Sequence, residues 1–167
     1  MFDGSYTIFE GLRRPDIVTT VGLVEGKIVT VTDVQPHRGV RIGLPGGRVD
    51  PEDESLLAAA QREMREETGY EFASWRLVEV VHPQAKLEYF QYYYLATNLT
   101  AQHAAVLDAG GEEIVVELCD YDACLRKFSE GYGSIIDHRF LQKAGSLEEL
   151  LKMPEFIGTE VDIPVKD

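Results

Sequence analysis

The sequence predicts an α/β fold, a mixed sheet flanked by helices. Two observations carry that reading. Segments rich in β-branched and aromatic residues outnumber helical segments, and the two kinds interleave along the chain instead of falling into separate halves. A single strongly helical segment with a start signal at one end and a stop signal at the other sits between the strands. At 167 residues the chain falls in the size range of one domain and can bury a core without disulfides or structural metal.

The first elements form a hairpin: Ile17 to Val24 and Ile28 to Thr32 are strand-like and flank the short turn Glu25-Gly26-Lys27. A loop from Gln35 to Gly39 leads into a short apolar stretch that ends at Leu44-Pro45-Gly46-Gly47. That turn lets backbone atoms face a ligand without a Cβ in the way. The helix Ser55 to Thr68 follows, with Asp53 or Ser55 as N-cap, Ala58-Ala59-Ala60 as strong helix formers and Gly69 as the stop. Trp75 to Val81, Leu87 to Thr97 and Ile114 to Cys119 read as strands. Asp122 to Glu130 and Arg139 to Lys143 read as short helices, and Ser146-Leu147-Glu148-Glu149 resembles a capping box opening a last one. The tail from Met153 is left unassigned. The aromatic run Tyr89, Phe90, Tyr92, Tyr93 and Tyr94 reads as core, with a base-stacking surface as the alternative.

Composition narrows the function classes. Hydrophobic content of 44% and charged content of 27% are ordinary for a globular protein. A formal charge of −13 argues against non-specific DNA or RNA binding, so no nucleic-acid partner is expected. No apolar run approaches the roughly 20 residues of a membrane span, and the first residues lack the pattern of a signal peptide. A soluble, cytoplasmic protein without a membrane partner is therefore expected. Cys119 and Cys124 have no zinc-type spacing and read as buried, inert thiols.

Projected at about 100° per residue, the helix places Leu56, Ala60, Glu63 and Glu67 in one narrow arc, with Glu66 beside Glu63. Two carboxylates thus continue the apolar stripe, while Gln61, Arg65 and Thr68 point to the opposite side. A solvated face laced with pairs such as Arg62 to Glu66 is the bland alternative. It has a weakness: Glu63 and Glu67 repel at i,i+4 near a helix C-terminus that already disfavours negative charge. A divalent cation would reverse the sign of both effects, and carboxylate oxygens select magnesium or manganese.

Gly47, Glu54 and the run Arg62-Glu63-Met64-Arg65-Glu66-Glu67-Thr68-Gly69-Tyr70 resemble the Nudix box, G-x5-E-x7-R-E-U-x-E-E-x-G-U with U a bulky apolar residue. Seven residues separate Glu54 from Arg62 as the motif asks, but six instead of five separate Gly47 from Glu54. A one-residue insertion within Arg48 to Asp53 is the simplest account. The resemblance implies an α/β/α sandwich with a mixed sheet and cleavage of a diphosphate linkage with Mg2+ or Mn2+. By motif position Glu63, Glu66 and Glu67 would bind metal, helped by a backbone carbonyl at Gly46 or Gly47. Arg62 would orient the glutamates, and Glu54 would support that arginine and the helix start.

The segment Gly110-Gly111-Glu112-Glu113-Ile114 lies where family members acting on ADP-ribose commonly carry a general base, which makes Glu112 or Glu113 the candidate. The stretch Gly111 to Glu117 and the later Ile135-Ile136-Asp137 are similar to ADP-ribose and nucleotide-sugar pyrophosphatases. That similarity implies a nucleoside diphosphate derivative as substrate and a homodimer as the assembly. Nucleoside triphosphate or dinucleoside polyphosphate cleavage is the alternative, and a non-catalytic nucleotide-binding module of the same fold is a second. Arg38, Arg41 and Arg48 flank the Pro-Gly-Gly turn as candidate phosphate contacts.

Overall fold

The computed structural model describes residues 11–35, 39–82, 87–104 and 113–157. Arg38 and Glu112, and the Glu113 side chain, lie outside the described residues. In chain order the elements are β1 (Leu12–Arg13), β2 (Ile17–Val24), β3 (Lys27–Gln35), β4 (Gly39–Gly43), β5 (Gly46–Arg48), α1 (Leu56–Thr68), β6 (Tyr70–Val81), β7 (Leu87–Glu88), β8 (Gln91–Gln102), β9 (Glu113–Cys119), α2 (Tyr121–Ser129), α3 (Ile135–Ala144) and α4 (Leu147–Lys152).

The predicted hairpin forms through Glu25 and Gly26, both at positive φ (52° and 76°), so that Leu23 pairs with Ile28 and Val24 with Lys27. The sheet runs β4-β3-β2-β8-β6, with β5 also paired to β2 and β9 also paired to β3. It is mixed as expected, because β2 and β8 run parallel, with Ile17 opposite Gln91 and Gly22 opposite Ala96, while the other pairs are antiparallel.

Alternate residues of the central strands feed two cores, as a period of two requires when both faces are covered. On one face Val18 and Tyr94 pack with Ala59 and Ala60 of α1, and Val29 and Phe72 pack with Met64. On the other, Val21, Ile28 and Tyr93 pack with Phe128 of α2, Phe140 and Leu141 of α3, and Leu150 of α4. The result is three layers, α1, then the sheet, then the C-terminal helices. Tyr93 stacks on Phe140 with ring centroids 4.1 Å apart, and Tyr89, Tyr93 and Tyr94 are buried core, while Phe90 and Tyr92 of the aromatic run are half-buried.

Several boundaries differ from expectation. The strand expected from Trp75 begins at Tyr70, and its partner β8 continues to Gln102; register shifts at Glu71/Phe72 and Leu77/Glu79 break the alternation that would have revealed this. The helix expected at Arg139 begins at Ile135, capped by the Ser134 hydroxyl, which accepts from the Asp137 N–H. Ser146 caps α4 as anticipated, accepting from Glu149 N–H at 3.1 Å. Among the described residues no helix is long and apolar enough to cross a membrane. Both cysteines are free and buried, and burial pushes the Cys124 thiol up to about 12, so it stays protonated at neutral pH.

Candidate active site

Helix α1 is held at both ends by its own sequence. The Ser55 hydroxyl accepts from Ala58 N–H at 3.0 Å, and Gly69, at φ 73°, donates its N–H to the Arg65 carbonyl. Its packed face is Ala59, Ala60, Met64 and Thr68. This corrects the helical projection: Thr68 is buried, its hydroxyl turned back onto the Met64 carbonyl, and the core stripe is centred one step from the expected arc. Glu63 and Glu67 flank that stripe.

Two alanines at the contact leave the helix close to β5 and β2, and the glycines of the turn use the space. Gly46 pairs with Thr19 and Gly47 with Val18, and Thr20 N–H donates to the Pro45 carbonyl at 2.8 Å. Gly46, at φ 154°, has no room for a Cβ, which would fall 2.2 Å from the Val18 carbonyl oxygen. Its N–H donates to Glu67 Oε2 at 2.8 Å. At Gly47 a Cβ would lie 2.4 Å from Glu63 Oε1. The second glycine is thus a seat for the Glu63 carboxylate.

Arg62 ties the loop to the helix. Its Nε and Nη2 donate to the two oxygens of Asp53, both at 2.9 Å, and Nη2 also donates to the Arg48 carbonyl at 3.0 Å. Nη1 donates to Glu63 Oε1 at 2.9 Å and Glu66 Oε2 at 3.0 Å. The bidentate partner is therefore Asp53, and Glu54, expected in that role, is exposed. Asp53 also closes the loop on itself by accepting from Asp50 N–H at 2.8 Å. Asp53 follows Gly47 after five residues, the spacing the box asks of its first acid. The extra residue lies on the helix side of that acid, not in the loop before it. The spacing was the available signal, and a shorter acid in place of glutamate hid it.

The electrostatics separate the carboxylates. Arg62 holds Asp53 below the usual carboxylate range, and the same contacts hold Arg62 firmly protonated. Glu63 is raised, burial outweighing the attraction of Arg62. Glu67 is pushed up to about 8, first by desolvation of its carboxyl and further by the charges of Glu63 and Asp33, against the Gly46 N–H and Arg41. Two neighbouring carboxylates whose anions are both disfavoured are a site lacking positive charge. The hard oxygen donors of Glu63, Glu67 and the glycine backbone fit a divalent cation in chemistry and in charge. Glu66 is half exposed and turned to Arg62, and among the described residues no three such side chains converge closely enough to hold a metal as they stand.

Of the three arginines, Arg41 sits on β4, and its charge is felt by both Glu67 and Asp137. Arg48 enters through its carbonyl while its side chain is exposed. Glu113 opens β9 opposite Val34, and the next rung sets Ile114 and Arg41 on either side of Asp33. A cleft of about 430 Å³ lies on the other flank of α1, lined by Gln61, Arg62, Arg65, Phe72 and Trp75 among others; it includes neither Glu63 nor Glu67.

The chain matches the NUDIX domain over residues 13–141 and belongs to that family. It is accordingly a Nudix pyrophosphohydrolase; such enzymes act on small nucleotide derivatives and generally use divalent metal ions. Comparison with curated proteins finds no match. Among solved structures it is similar to a MutT Nudix hydrolase from Burkholderia pseudomallei (21% identity, TM-score 0.60, covering 77% of this chain and 95% of that one). It is similar also to a Nudix hydrolase from Nitrosomonas europaea (21%, 0.62, 79% and 90%) and to an ADP compounds hydrolase (15%, 0.61, 82% and 71%). At these identities the likeness is one of fold.

Proposed function

We propose that the chain hydrolyses the diphosphate linkage of a nucleoside diphosphate derivative, ADP-ribose or a nucleotide sugar, giving a nucleoside monophosphate and a sugar phosphate. The observation that carries this reading is the meeting of Glu63 and Glu67 with the paired glycines, where two disfavoured carboxylates share one cradle. Glu63, Glu66 and Glu67, with a backbone carbonyl at Gly46 or Gly47, would hold Mg2+ or Mn2+. When bound, the ion neutralises phosphoryl oxygen charge and makes the attacking water more acidic.

The chain's own residues supply the rest. Arg62, braced by Asp53, holds Glu63 and Glu66 to one guanidinium and fixes the loop through the Arg48 carbonyl. Gly46 fixes Glu67. Arg41, whose charge reaches Glu67, supplies a cation for a phosphate oxygen. Glu112 or Glu113 accepts the proton of the attacking water, a role supported by the entry of β9 one rung from Arg41. The choice of substrate rests on the resemblance of the segment 111–117.

Incubation with ADP-ribose and Mg2+ followed by product analysis tests the proposal. AMP and ribose 5-phosphate are the expected products. If neither forms while a nucleoside triphosphate is consumed, the substrate assignment fails and the triphosphate reading replaces it.

A further inference from the structure

On the face of the sheet opposite α1, Asp137 lies in the first turn of α3 with its side chain wholly buried, the only acidic or basic residue buried to that degree among the described residues. A carboxyl in such a place is strongly unfavourable unless donors surround it. Its donors show what it holds. Oδ2 accepts from Leu44 N–H at 3.1 Å, and Oδ1 accepts from the Tyr93 hydroxyl at 2.9 Å and from Gln91 Nε2 at 3.5 Å. Gln91 Nε2 also donates to the Tyr93 oxygen and to Thr19 Oγ1, both at 2.9 Å.

These partners bracket one segment. Leu44 begins the Leu44-Pro45-Gly46-Gly47 turn, and Thr19 is in register with Gly46. Gly43, just before the turn, leaves space that Asp137 fills, since a Cβ there would lie 2.9 Å from Oδ2. Helix α3 is itself stapled to β4, because Ile42 N–H donates to the Tyr132 carbonyl at 3.0 Å and Ser134 N–H donates to the Ile42 carbonyl at 2.8 Å. The turn is therefore gripped from both faces of the sheet, by Asp137 at Leu44 and by Glu67 at Gly46.

We infer that Asp137 is a positioning residue for the metal-side turn: from the far face of the sheet it fixes the Leu44 amide, and with it the Gly46 amide and Gly47 seat on which Glu67 and Glu63 rest. The step to metal binding rests on the function proposed above. Leu44 N–H and Gln91 Nε2 can only donate, so an oxygen of Asp137 faces each of them, whereas the Tyr93 hydroxyl can donate or accept. Asparagine has the right shape but sets an N–H2 group against one of those two donors.

The test compares Asp137→Asn, Gly43→Ala and Leu150→Ala in the full chain. Leu150→Ala opens a cavity in the same helical layer and serves as a control for lost stability alone. Amide hydrogen exchange at Leu44 and Gly46 reads the grip on the turn, and Mn2+ affinity, measured by the free-Mn2+ EPR signal without substrate, reads its consequence. Asp137→Asn is expected to speed exchange at both amides and to weaken Mn2+ binding by about 10- to 100-fold, the range for groups that orient metal ligands. Gly43→Ala, which keeps the carboxyl but pushes it aside, should act in the same direction, and it carries the test if Asp137→Asn does not fold. Wild-type exchange and Mn2+ affinity in a folded variant overturn the inference. So does a Leu150→Ala protein that loses as much Mn2+ affinity at an equal fall in Tm. Wild-type protein that binds no Mn2+ defeats the metal reading instead, and exchange at Leu44 and Gly46 then still decides whether Asp137 grips the turn.

Discussion

Glu67 accepts from the Gly46 amide, and a glutamine in its place keeps an oxygen for that bond while removing the charge. Glu67→Gln is therefore expected to fold as the wild type does, by circular dichroism, and to lose about 10²- to 10³-fold in metal-dependent turnover. Turnover at the wild-type rate would take α1 out of the mechanism. Asp53 makes a different prediction, in pH. Its folded pKa is depressed below the ordinary value of 3.8, so its contribution to stability is complete above that value and disappears as pH falls through the folded one. The difference in urea midpoint between wild type and Asp53→Asn should be full at neutral pH and shrink in acid. A difference that persists at about pH 2 would mean that the ion pair is not its source. Of these residues, the glutamates were legible from the sequence because their spacing follows the helix repeat. Asp53 was half legible, present as a candidate cap and at the right distance from Gly47. Asp137 was legible only as part of a pattern: its burial depends on Tyr93 and Gln91, more than forty positions away.

At the level of elements, α1 was the most readable because its start, stop and packing are all local. Ser55 and Gly69 do what their residue types predict. Ser55→Ala should lower stability by about 1 kcal/mol in a urea titration. Gly69→Ala should cost more, since it joins a positive φ to a Cβ that would sit 2.0 Å from the His103 carbonyl oxygen. Equal effects of the two would show that the helix end is free to move. The hairpin at Glu25-Gly26 was readable for the same local reason. The strand β6 was not, because its first residues take their conformation from β8 across two register shifts, and pairing partners leave no periodic mark when a bulge intervenes.

Across the whole molecule, β2 carries an unusual share of the organisation. One end joins the hairpin with β3, Ile17 to Thr19 lie between β5 and β8, and the pairing with β8 continues to Gly22. Its hairpin partner is adjacent in sequence, but its parallel partner arrives only at Gln91, after the loop and α1 have gone by. Helix α1 can form on its own schedule, yet the glycines that seat its carboxylates are aligned by a strand that waits for this distant partner. Pairings of such long separation close late in folding. During refolding from denaturant in the presence of Mn2+, helical signal should therefore appear ahead of Mn2+ uptake, and uptake should coincide with the burial of Trp75 seen by fluorescence. Uptake that tracks the early helical signal would contradict this order. The enzyme's chemistry is thus timed by its topology: a chain still emerging from the ribosome, with the box complete but β8 not yet made, holds the glutamates without the place to put them.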